Sequence, residues 1–474
     1  MSEIAAVVVI GAGPAGLAAA AEAARGSDRV LLVDAGPRLG GQFWRHGAKD
    51  DLPQAPAPRW HHGWDTYLEL RTDLERAEAA GRLEHLASTH VAALDVREDG
   101  LLALHLALSP TGEQLTTLLA ETVVLCPGAY DRQLPVAGWT LPGVMAAGGV
   151  QAFVKVQEQV PGRRVLLAGT GPFLLAAAAS VLQAGGEVAA ICESGDLTGW
   201  VPRGASAALV PGKGREGAQY AALLVRHRVP YLRRRVVSRI HGTDRVESVE
   251  ISRADDRGAQ VPGTAQVLED IDVVGLGWGF VPQAELLLQA GAASRLDVDG
   301  SLVGVVDGEQ ASSVPGLFLA GEITGVTGAS GAVAEGRIAG RAAAGRVSGR
   351  AAESSRKDAS ARSRHRLFAS AMHRAHPAPA GWADSLDEGT VVCRCEEVTL
   401  AEITAARDEL GARDPRSLKG VTRAGMGMCQ GRICAAAMTC FGTDPLEAAR
   451  TTAKRPFALP LTLGTLASAE EGTE

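Results

Sequence analysis

Four cysteines near the carboxyl end of this 474-residue chain are spaced as metal ligands often are. Cys393 and Cys395 form a C-x-C pair, and Cys429 and Cys434 form a C-x4-C pair after 33 intervening residues. Four thiolates are the ligand set of a [2Fe-2S] cluster. A structural zinc ion is the competing interpretation, but zinc sites more often use C-x2-4-C spacings. The pattern favours an iron–sulfur cluster and predicts that Cys440 is a core residue without a metal role.

A glycine-rich turn near the amino end has the pattern of a dinucleotide-binding site. An apolar run at 4–10 precedes glycines at G-x-G-x-x-G spacing, and a second apolar run ends in Asp34, eighteen residues after the last of them. A βαβ unit places its ribose-binding acid near this position. The first glycine permits the turn, the second leaves room for a pyrophosphate, and the third lets helix and strand pack closely. The predicted contacts at this turn are Gly11, Gly13, Pro14, Ala15, Gly16, Asp34 and Ala35.

Three further stretches are predicted to converge on the same dinucleotide. A loop after Asp34 contains paired glycines, which let the backbone approach a flat ligand such as a flavin. An apolar strand at 122–125 runs into Pro-Gly, and a strand within 314–322 ends in a glycine and a carboxylate before a Gly/Ala-rich helix. The helix N-terminus would face the flavin, and the acid would approach its ribityl chain. The predicted contacts are Gly40, Gly41, Gln42, Pro127, Gly128, Ala129, Gly321 and Glu322.

A second, weaker dinucleotide pattern begins at Arg163. A strand leads into Gly169 and Gly171, but Leu174 occupies the position of the third glycine. Gly169 and Gly171 are therefore predicted contacts of a second nucleotide, which the degraded pattern does not identify. NAD(P), another nucleotide and an inherited fold without a ligand all remain open.

Composition and cysteine spacing exclude several classes of function. No C-x-x-C or C-x4-C pair occurs between residues 1 and 390, so the chain lacks a dithiol that could exchange electrons with a flavin. Cys126 is predicted to be a packed residue. A net charge of −7 with dispersed arginines argues against nucleic-acid binding.

Two charge-poor stretches, 4–21 and 165–186, approach the length of membrane spans. Each contains a G-x-G turn, so a strand and helix of a soluble βαβ unit explain them better, and no transmembrane segment is predicted. The amino end has neither a basic region nor a cleavage site typical of a signal peptide. We expect a cytoplasmic location.

The predicted fold class is α/β, with two dinucleotide-binding domains of Rossmann-like type and a small carboxyl-terminal domain. Residues 46–62 are predicted to form an irregular loop because they are rich in proline and histidine. The predicted domains are an FAD-binding domain at 1–148 and 265–345, an inserted NAD(P)-type nucleotide-fold domain at 149–264, a linker at 346–387, a [2Fe-2S] domain at 388–450 and a tail at 451–474.

Over nearly its whole length the chain resembles the flavin and iron–sulfur subunits of heteromeric amino-acid dehydrogenases. This family includes the A subunit of opine oxidase, the B subunit of hydrogen cyanide synthase and the alpha subunits of proline or hydroxyproline dehydrogenases. The carboxyl-terminal part resembles a bacterioferritin-associated-ferredoxin-like [2Fe-2S] domain, matched at the four cysteines. The stretches that carry the rest of the resemblance are 11–16, 40–42 with 44–45, 127–131, 138–144 with Gln151, 277–282, 320–322 and 455–464.

The resemblance implies that a separate FAD-containing beta subunit of the D-amino-acid-oxidase type oxidises the substrate, while this subunit relays electrons. It also allows a small third subunit, and an FMN at a subunit interface. Two alternatives stay open: a stand-alone NAD(P)H-dependent FAD/[2Fe-2S] reductase, and a non-enzymatic redox-sensing or scaffolding subunit. No side chain is identified as a catalytic acid or base. Arg45 and Arg132 are the candidate carboxylate clamps, but local or inter-subunit pairing explains them equally well.

Overall fold

The computed structural model of this protein describes residues 4–48, 61–108, 115–351 and 353–468. Most of the loop predicted at 46–62 and the end of the predicted tail lie outside these ranges. The described part confirms the α/β fold class.

The predicted first βαβ unit is present. The strand β1 (Ala5–Ile10) and the strand β2 (Val30–Val33) are parallel, with Val7 opposite Val30, and the helix α1 (Pro14–Gly26) connects them. Valine-rich runs suit strands that are buried on both faces of a parallel sheet. Pro14 begins the helix, where its missing N–H is no loss.

The first sheet continues through one more helix and four more strands. Its strand order is β3-β2-β1-β6-β5-β4. β6 runs parallel to β1 in its second half, whereas β4, β5 and the first half of β6 form an antiparallel meander. These elements are α2 (Trp64–Ala79), β3 (Leu83–Leu86), β4 (Thr89–Val96), β5 (Leu102–Leu108) and β6 (Leu115–Leu125).

A second dinucleotide-type sheet has the strand order β11-β10-β9-β15-β8. The elements up to β11 are β7 (Ala129–Asp131), β8 (Val144–Ala146), α3 (Ala147–Ala152), β9 (Arg164–Gly169), α4 (Phe173–Gln183), β10 (Glu187–Glu193), α5 (Gly204–Ala208), α6 (Pro211–Arg226) and β11 (Tyr231–Arg233). Those that follow are β12 (Arg235–His241), β13 (Ser248–Arg253), β14 (Gln266–Glu269), β15 (Val273–Gly277), β16 (Phe280–Pro282), α7 (Glu285–Gln289), β17 (Ser294–Leu296), β18 (Leu302–Gly304), β19 (Leu317–Leu319) and α8 (Ala329–Ser348).

The pairing of two strands differs from the predicted domain bounds. We assigned β8 and β15 to the first domain, but both pair in parallel within the second sheet, where Val274 lies opposite Val144. Short apolar strands carry no signal of which sheet they join, because pairing is decided by long-range packing.

The chain then returns to the first sheet as predicted. β19 pairs in parallel with β6, and α8 packs on α1. This helix contact is unusually close, since a Cβ at Gly336 would lie 2.0 Å from the carbonyl oxygen of Ala15. Glycine at the interface is what lets the two helix backbones approach.

The segment predicted as a linker contains the helix α9 (Arg356–Ala375), which packs against α8. The helix has few apolar side chains, and ion pairs hold it instead, including one of 2.6 Å between Arg341 and Asp358. Such long-range pairs leave no periodic pattern in the sequence.

The carboxyl-terminal region is a small helical unit with a core around Ile403, Leu418 and Ala437. Among the described helices of the chain, none is long and apolar enough to cross a bilayer. The elements of this region are β20 (Val391–Cys393), β21 (Val398–Thr399), α10 (Leu400–Asp408), α11 (Pro415–Thr422), α12 (Ala435–Thr439), α13 (Pro445–Ala453) and α14 (Leu463–Ser468).

Candidate functional site

The three glycines of the first turn have the different environments that their predicted roles require. Gly11 has φ +97°, and a Cβ there would lie 2.2 Å from the carbonyl oxygen of Cys126. A Cβ at Gly16 would lie 1.6 Å from the carbonyl oxygen of Gly11, so helix and turn are in direct contact. A Cβ at Gly13 would meet no atom within 4 Å. Open space at this glycine alone is what a bound pyrophosphate needs.

Asp34 lies beside the same turn. Its Oδ1 accepts a hydrogen bond of 2.6 Å from the Gly36 amide, and its Oδ2 accepts one from the Ala12 amide. Burial raises the pKa of the Asp34 carboxyl. The adjacent Ala35 is exposed. Asp34 thus stabilises the turn through these hydrogen bonds. It also lies at the end of β2, where a ribose is expected.

The loop after Asp34 folds back across the turn. The Gly40 amide donates to the carbonyl of Ala12 over 2.8 Å, and a Cβ at Gly41 would lie 2.7 Å from the Cα of Gly13. Gln42 is exposed, and its side chain accepts a hydrogen bond from Arg45. The structure therefore brings the predicted contacts Gly40 and Gly41 to the turn.

The Pro127–Ala129 stretch lies next to the turn because the Cys126 amide donates to the carbonyl of Ile10 over 2.9 Å. Ala129 pairs with Pro282 in a two-stranded sheet, and a Cβ at Gly128 would meet no atom within 4 Å. Cys126 is buried, as predicted, and burial raises the pKa of its thiol. This stretch presents open backbone rather than a reactive thiolate.

Gly321 and Glu322 complete the convergence. A Cβ at Gly321 would lie 2.9 Å from Cβ of Ala15, so this turn contacts the start of α1. Glu322 Oε1 accepts a hydrogen bond of 3.3 Å from the Gly328 amide, whereas its Oε2 is buried without a partner. Burial and the Glu335 carboxylate raise the pKa of Glu322 to about 8. Leaving a buried polar atom without a hydrogen-bond partner costs free energy, and a ligand hydroxyl such as that of a ribityl chain would supply the partner, since it can both donate and accept.

Sequence analysis did not identify the pair that holds this turn. Glu335 is fully buried on α8 and accepts hydrogen bonds of 3.0 Å from the Gly321 amide and 2.8 Å from the Thr324 hydroxyl. Arg366 of α9 donates to its other oxygen over 2.8 Å. Because these residues lie far apart in sequence, only the folded structure shows that they form one unit.

The second turn is more enclosed than the first. Gly169 has φ +147° and touches Gly277, while Leu174 is buried in the core. A Cβ at Gly171 would lie 3.8 Å from Cβ of His376, which follows α9. The chain's own residues thus lie close to the position where a nucleotide phosphate would approach.

Glu193 is a second residue that sequence analysis missed. It ends β10 as Asp34 follows β2, and this parallel could have identified it. Its carboxylate accepts hydrogen bonds of 2.9 Å from both the Thr170 hydroxyl and the Gly171 amide. Burial opposes its ionisation, but a hydrogen bond from His376 helps to outweigh that effect and lowers the pKa of Glu193.

The four carboxyl-terminal cysteines come together as two thiol pairs. Sγ of Cys434 lies 3.8 Å from Sγ of Cys393, and the side chains of Cys395 and Cys429 contact each other. The hydrogen bond from Cys434 lowers the pKa of Cys393 to about 6, which favours the thiolate that a metal needs. Cys440, which was predicted to be a core residue, is exposed.

The surroundings of these thiols suit a binuclear cluster. The Gly425 amide donates to Sγ of Cys393 over 3.3 Å, and a Cβ at Gly427 would lie 2.3 Å from Cβ of Cys395. Among the described residues, no group of three or more His, Cys, Asp and Glu side chains is placed to hold a single metal ion. The four thiols supply the number of thiolates that a [2Fe-2S] cluster takes across its two irons.

Comparison with known families agrees with this geometry. Residues 5–336 match the model of the pyridine nucleotide-disulphide oxidoreductase family. The chain belongs to this family. Residues 391–439 match the BFD-like [2Fe-2S] binding domain. As a member of the family with this added domain, the chain is an oxidoreductase that binds FAD and a [2Fe-2S] cluster. When bound, FAD exchanges electron pairs and the cluster single electrons.

Similar relatives within the family confirm the resemblance inferred from sequence. The chain is 32% identical to the A subunit of opine oxidase from Rhizobium meliloti (strain 1021), over 98% of each chain. It is 30% identical to hydrogen cyanide synthase subunit HcnB of Pseudomonas protegens, over 90% of this chain and 89% of that one. The crystal structure of L-proline dehydrogenase from P. horikoshii shares the fold, with a TM-score of 0.65 at 19% identity, over 98% of this chain and 79% of that one.

Proposed function

We propose that this chain is the electron-transferring subunit of a heteromeric amino-acid dehydrogenase. FAD would be held by the turn of Gly11, the Gly40 loop, the Pro127 stretch and the Gly321 turn, and the cluster by the four cysteines. Electrons would arrive from a separate FAD subunit of the D-amino-acid-oxidase type. Two relatives are named as subunits, of an opine oxidase and of a hydrogen cyanide synthase, which supports a heteromeric assembly.

One contact between the two candidate sites carries the proposal. Tyr130 directly follows the predicted flavin contact Ala129, and its hydroxyl oxygen accepts a hydrogen bond of 3.1 Å from Nε of Arg432. Arg432 lies between Cys429 and Cys434. This pair of side chains joins the stretch that would hold the flavin to the loop that would hold the cluster, so the two candidate sites are neighbours.

Both candidate carboxylate clamps, Arg132 and Arg45, donate hydrogen bonds to other residues of the chain. Arg132 donates to Asp299 over 2.9 Å and to the Ser301 hydroxyl over 2.7 Å. Arg132 thus pairs within the chain, with residues distant in sequence and not with the adjacent Asp131. Arg45 donates to the Gln42 side chain. Arg132 could bind an amino-acid carboxylate only by losing these partners, whereas the bond to Gln42 uses one of the five donors of Arg45.

The stand-alone NAD(P)H reductase receives less support. Binding at the second turn would place a phosphate near Gly171, whose amide is engaged by Glu193 and beside which His376 lies. Anaerobic titration with NADH and NADPH separates the two functions. We expect no bleaching of the flavin, whereas rapid bleaching would favour the reductase.

Electron equilibration within the isolated chain tests the relay itself. The flavin is reduced by light under anaerobic conditions with EDTA as the electron donor, and the sample is frozen for electron paramagnetic resonance (EPR). We expect the signal of a reduced cluster to appear together with loss of oxidised flavin. A cluster that stays oxidised beside fully reduced FAD would contradict the proposal.

A further inference from the structure

A buried group of charges lies against the cluster loop. Its members are Arg432, Glu285 at the start of α7, and Arg455, which follows α13. Nη1 of Arg455 lies 2.6 Å from Oε1 of Glu285, and Nε of Arg432 lies 3.5 Å from the same oxygen. All three side chains are at most 10% exposed.

The group holds more positive than negative charge. Two guanidinium groups face one carboxylate. Tyr130, whose hydroxyl accepts a hydrogen bond from Arg432, is neutral because burial raises the pKa of that hydroxyl. Burial lowers the pKa of Arg455, but arginine keeps its proton at any physiological pH. A net positive charge is thus enclosed in a region of low dielectric, where its field is screened weakly.

Both arginines are attached to the loop that carries the cysteines. Arg432 donates through Nη1 to the carbonyl of Cys429 over 3.1 Å, and Arg455 donates through Nε to the carbonyl of Gln430 over 2.6 Å. Nη2 of Arg432 is buried without a partner. Burying an N–H donor without an acceptor costs free energy. A cluster held by four thiolates is anionic and could act as the acceptor.

We propose that Arg432 and Arg455 raise the reduction potential of the cluster, and that Glu285 moderates this effect. This proposal rests on the proposed ligation by the four cysteines. The cluster gains negative charge when it accepts an electron, so nearby positive charge favours the reduced form and negative charge opposes it. Net charge and hydrogen bonding around the sulfurs are among the factors that set the potentials of iron–sulfur clusters. The arginines would therefore favour electron flow from the flavin to the cluster.

The test is an EPR-monitored redox titration of the complete chain and its variants. We expect Arg432→Gln and Arg455→Gln to make the cluster potential more negative, and Glu285→Gln to make it more positive. Each change should alter the equilibrium constant for one-electron reduction about tenfold, equivalent to about 59 mV. The matched control is Arg416→Gln, because Arg416 lies in the same region, on α11, but is exposed to water. Its charge is screened, and the potential should stay unchanged.

If the arginine and glutamate variants shift the cluster potential in opposite directions, the shifts result from the change in charge and not from altered packing. Shifts of all three variants in one direction, or no shift with the cluster intact, would overturn the proposal. If Arg432→Gln fails to assemble a cluster, Arg455→Gln and Glu285→Gln decide the matter, since neither position is next to a cysteine in sequence. Iron and sulfide content of the serine variants at the four cysteines tests the ligand assignment separately, because a wrong assignment would leave the cluster in place in those variants.

Discussion

Arg366 Nε lies 2.8 Å from Glu335 Oε1, and this ion pair joins α9 to the turn that presents Glu322 at the candidate flavin site. Glu335 is fully buried and Arg366 largely so. Removing one partner of such a pair leaves an uncompensated charge in the interior. The segment predicted to be a linker is therefore expected to support cofactor binding.

Replacing Arg366 with Gln should lower the free energy of unfolding by about 3 kcal/mol and reduce the FAD retained on purification. Denaturant titration and the ratio of FAD to protein measure both effects. Arg364→Gln is the control, because Arg364 lies on the same helix but is exposed to water. Equal FAD content and stability in the two variants would show that the pair has no such role.

Valine at Gly13 and at Gly16 should have different effects. Gly13 has φ −77° and open space at its Cβ position, so Gly13→Val should fold but lose FAD, because the side chain would occupy the pyrophosphate position. Gly16→Val should not fold, since its Cβ would overlap the carbonyl oxygen of Gly11. Circular dichroism and released flavin distinguish these outcomes. FAD retention by folded Gly13→Val would contradict the assigned site.

The buried carboxyl of Glu322 predicts a pH dependence of the FAD-free protein. Its pKa is about 8 in the folded chain against an ordinary value of 4.5, so the folded state holds a proton that the unfolded state releases between these values. The stabilisation that the folded state gains by holding this proton is fully present below pH 4.5, and it is lost as the pH rises towards 8. Glu322→Gln should therefore reduce the decline of stability over this range, as measured by denaturant titration at several pH values. An unchanged slope would argue against the shifted pKa.

Serine at any of the four predicted ligands should remove the cluster. Wild-type protein purified without oxygen should contain about two iron and two sulfide ions per chain. The four variants at Cys393, Cys395, Cys429 and Cys434 should lose both, whereas serine at the exposed Cys440 should not. Zinc in place of iron in the wild-type protein would reject the cluster assignment at these residues.

The parts of the molecule that were predictable from sequence are those with short-range signals. The first βαβ unit combines an apolar strand, a glycine turn and an acid within 34 residues, and each has a steric reason that the structure shows. The C-x-C and C-x4-C pairs were equally readable, although only the fold brings them together. Glu193 was readable too, because it ends a strand as Asp34 follows one.

The remaining features depend on contacts between distant residues. Helix α9 was not predicted because Asp358 and Arg366 hold it through partners on α8, rather than through an apolar face. The sheet that β8 and β15 join was set by packing, and the charges around Glu285 come from three separate segments. Contacts between such distant residues leave no periodic pattern or motif in the sequence.

The central claim, that this chain relays electrons and does not itself oxidise an amino acid, is tested most directly by dye reduction. The homogeneous chain, loaded with FAD and cluster, is compared with the complex obtained by co-expression with the products of neighbouring genes. Proline-like, opine-like and other secondary amino acids serve as substrates for an artificial electron acceptor. We expect activity from the heteromeric complex and none from the isolated chain. Robust dye reduction by the isolated chain with any of these substrates would place the oxidising site here and contradict the account.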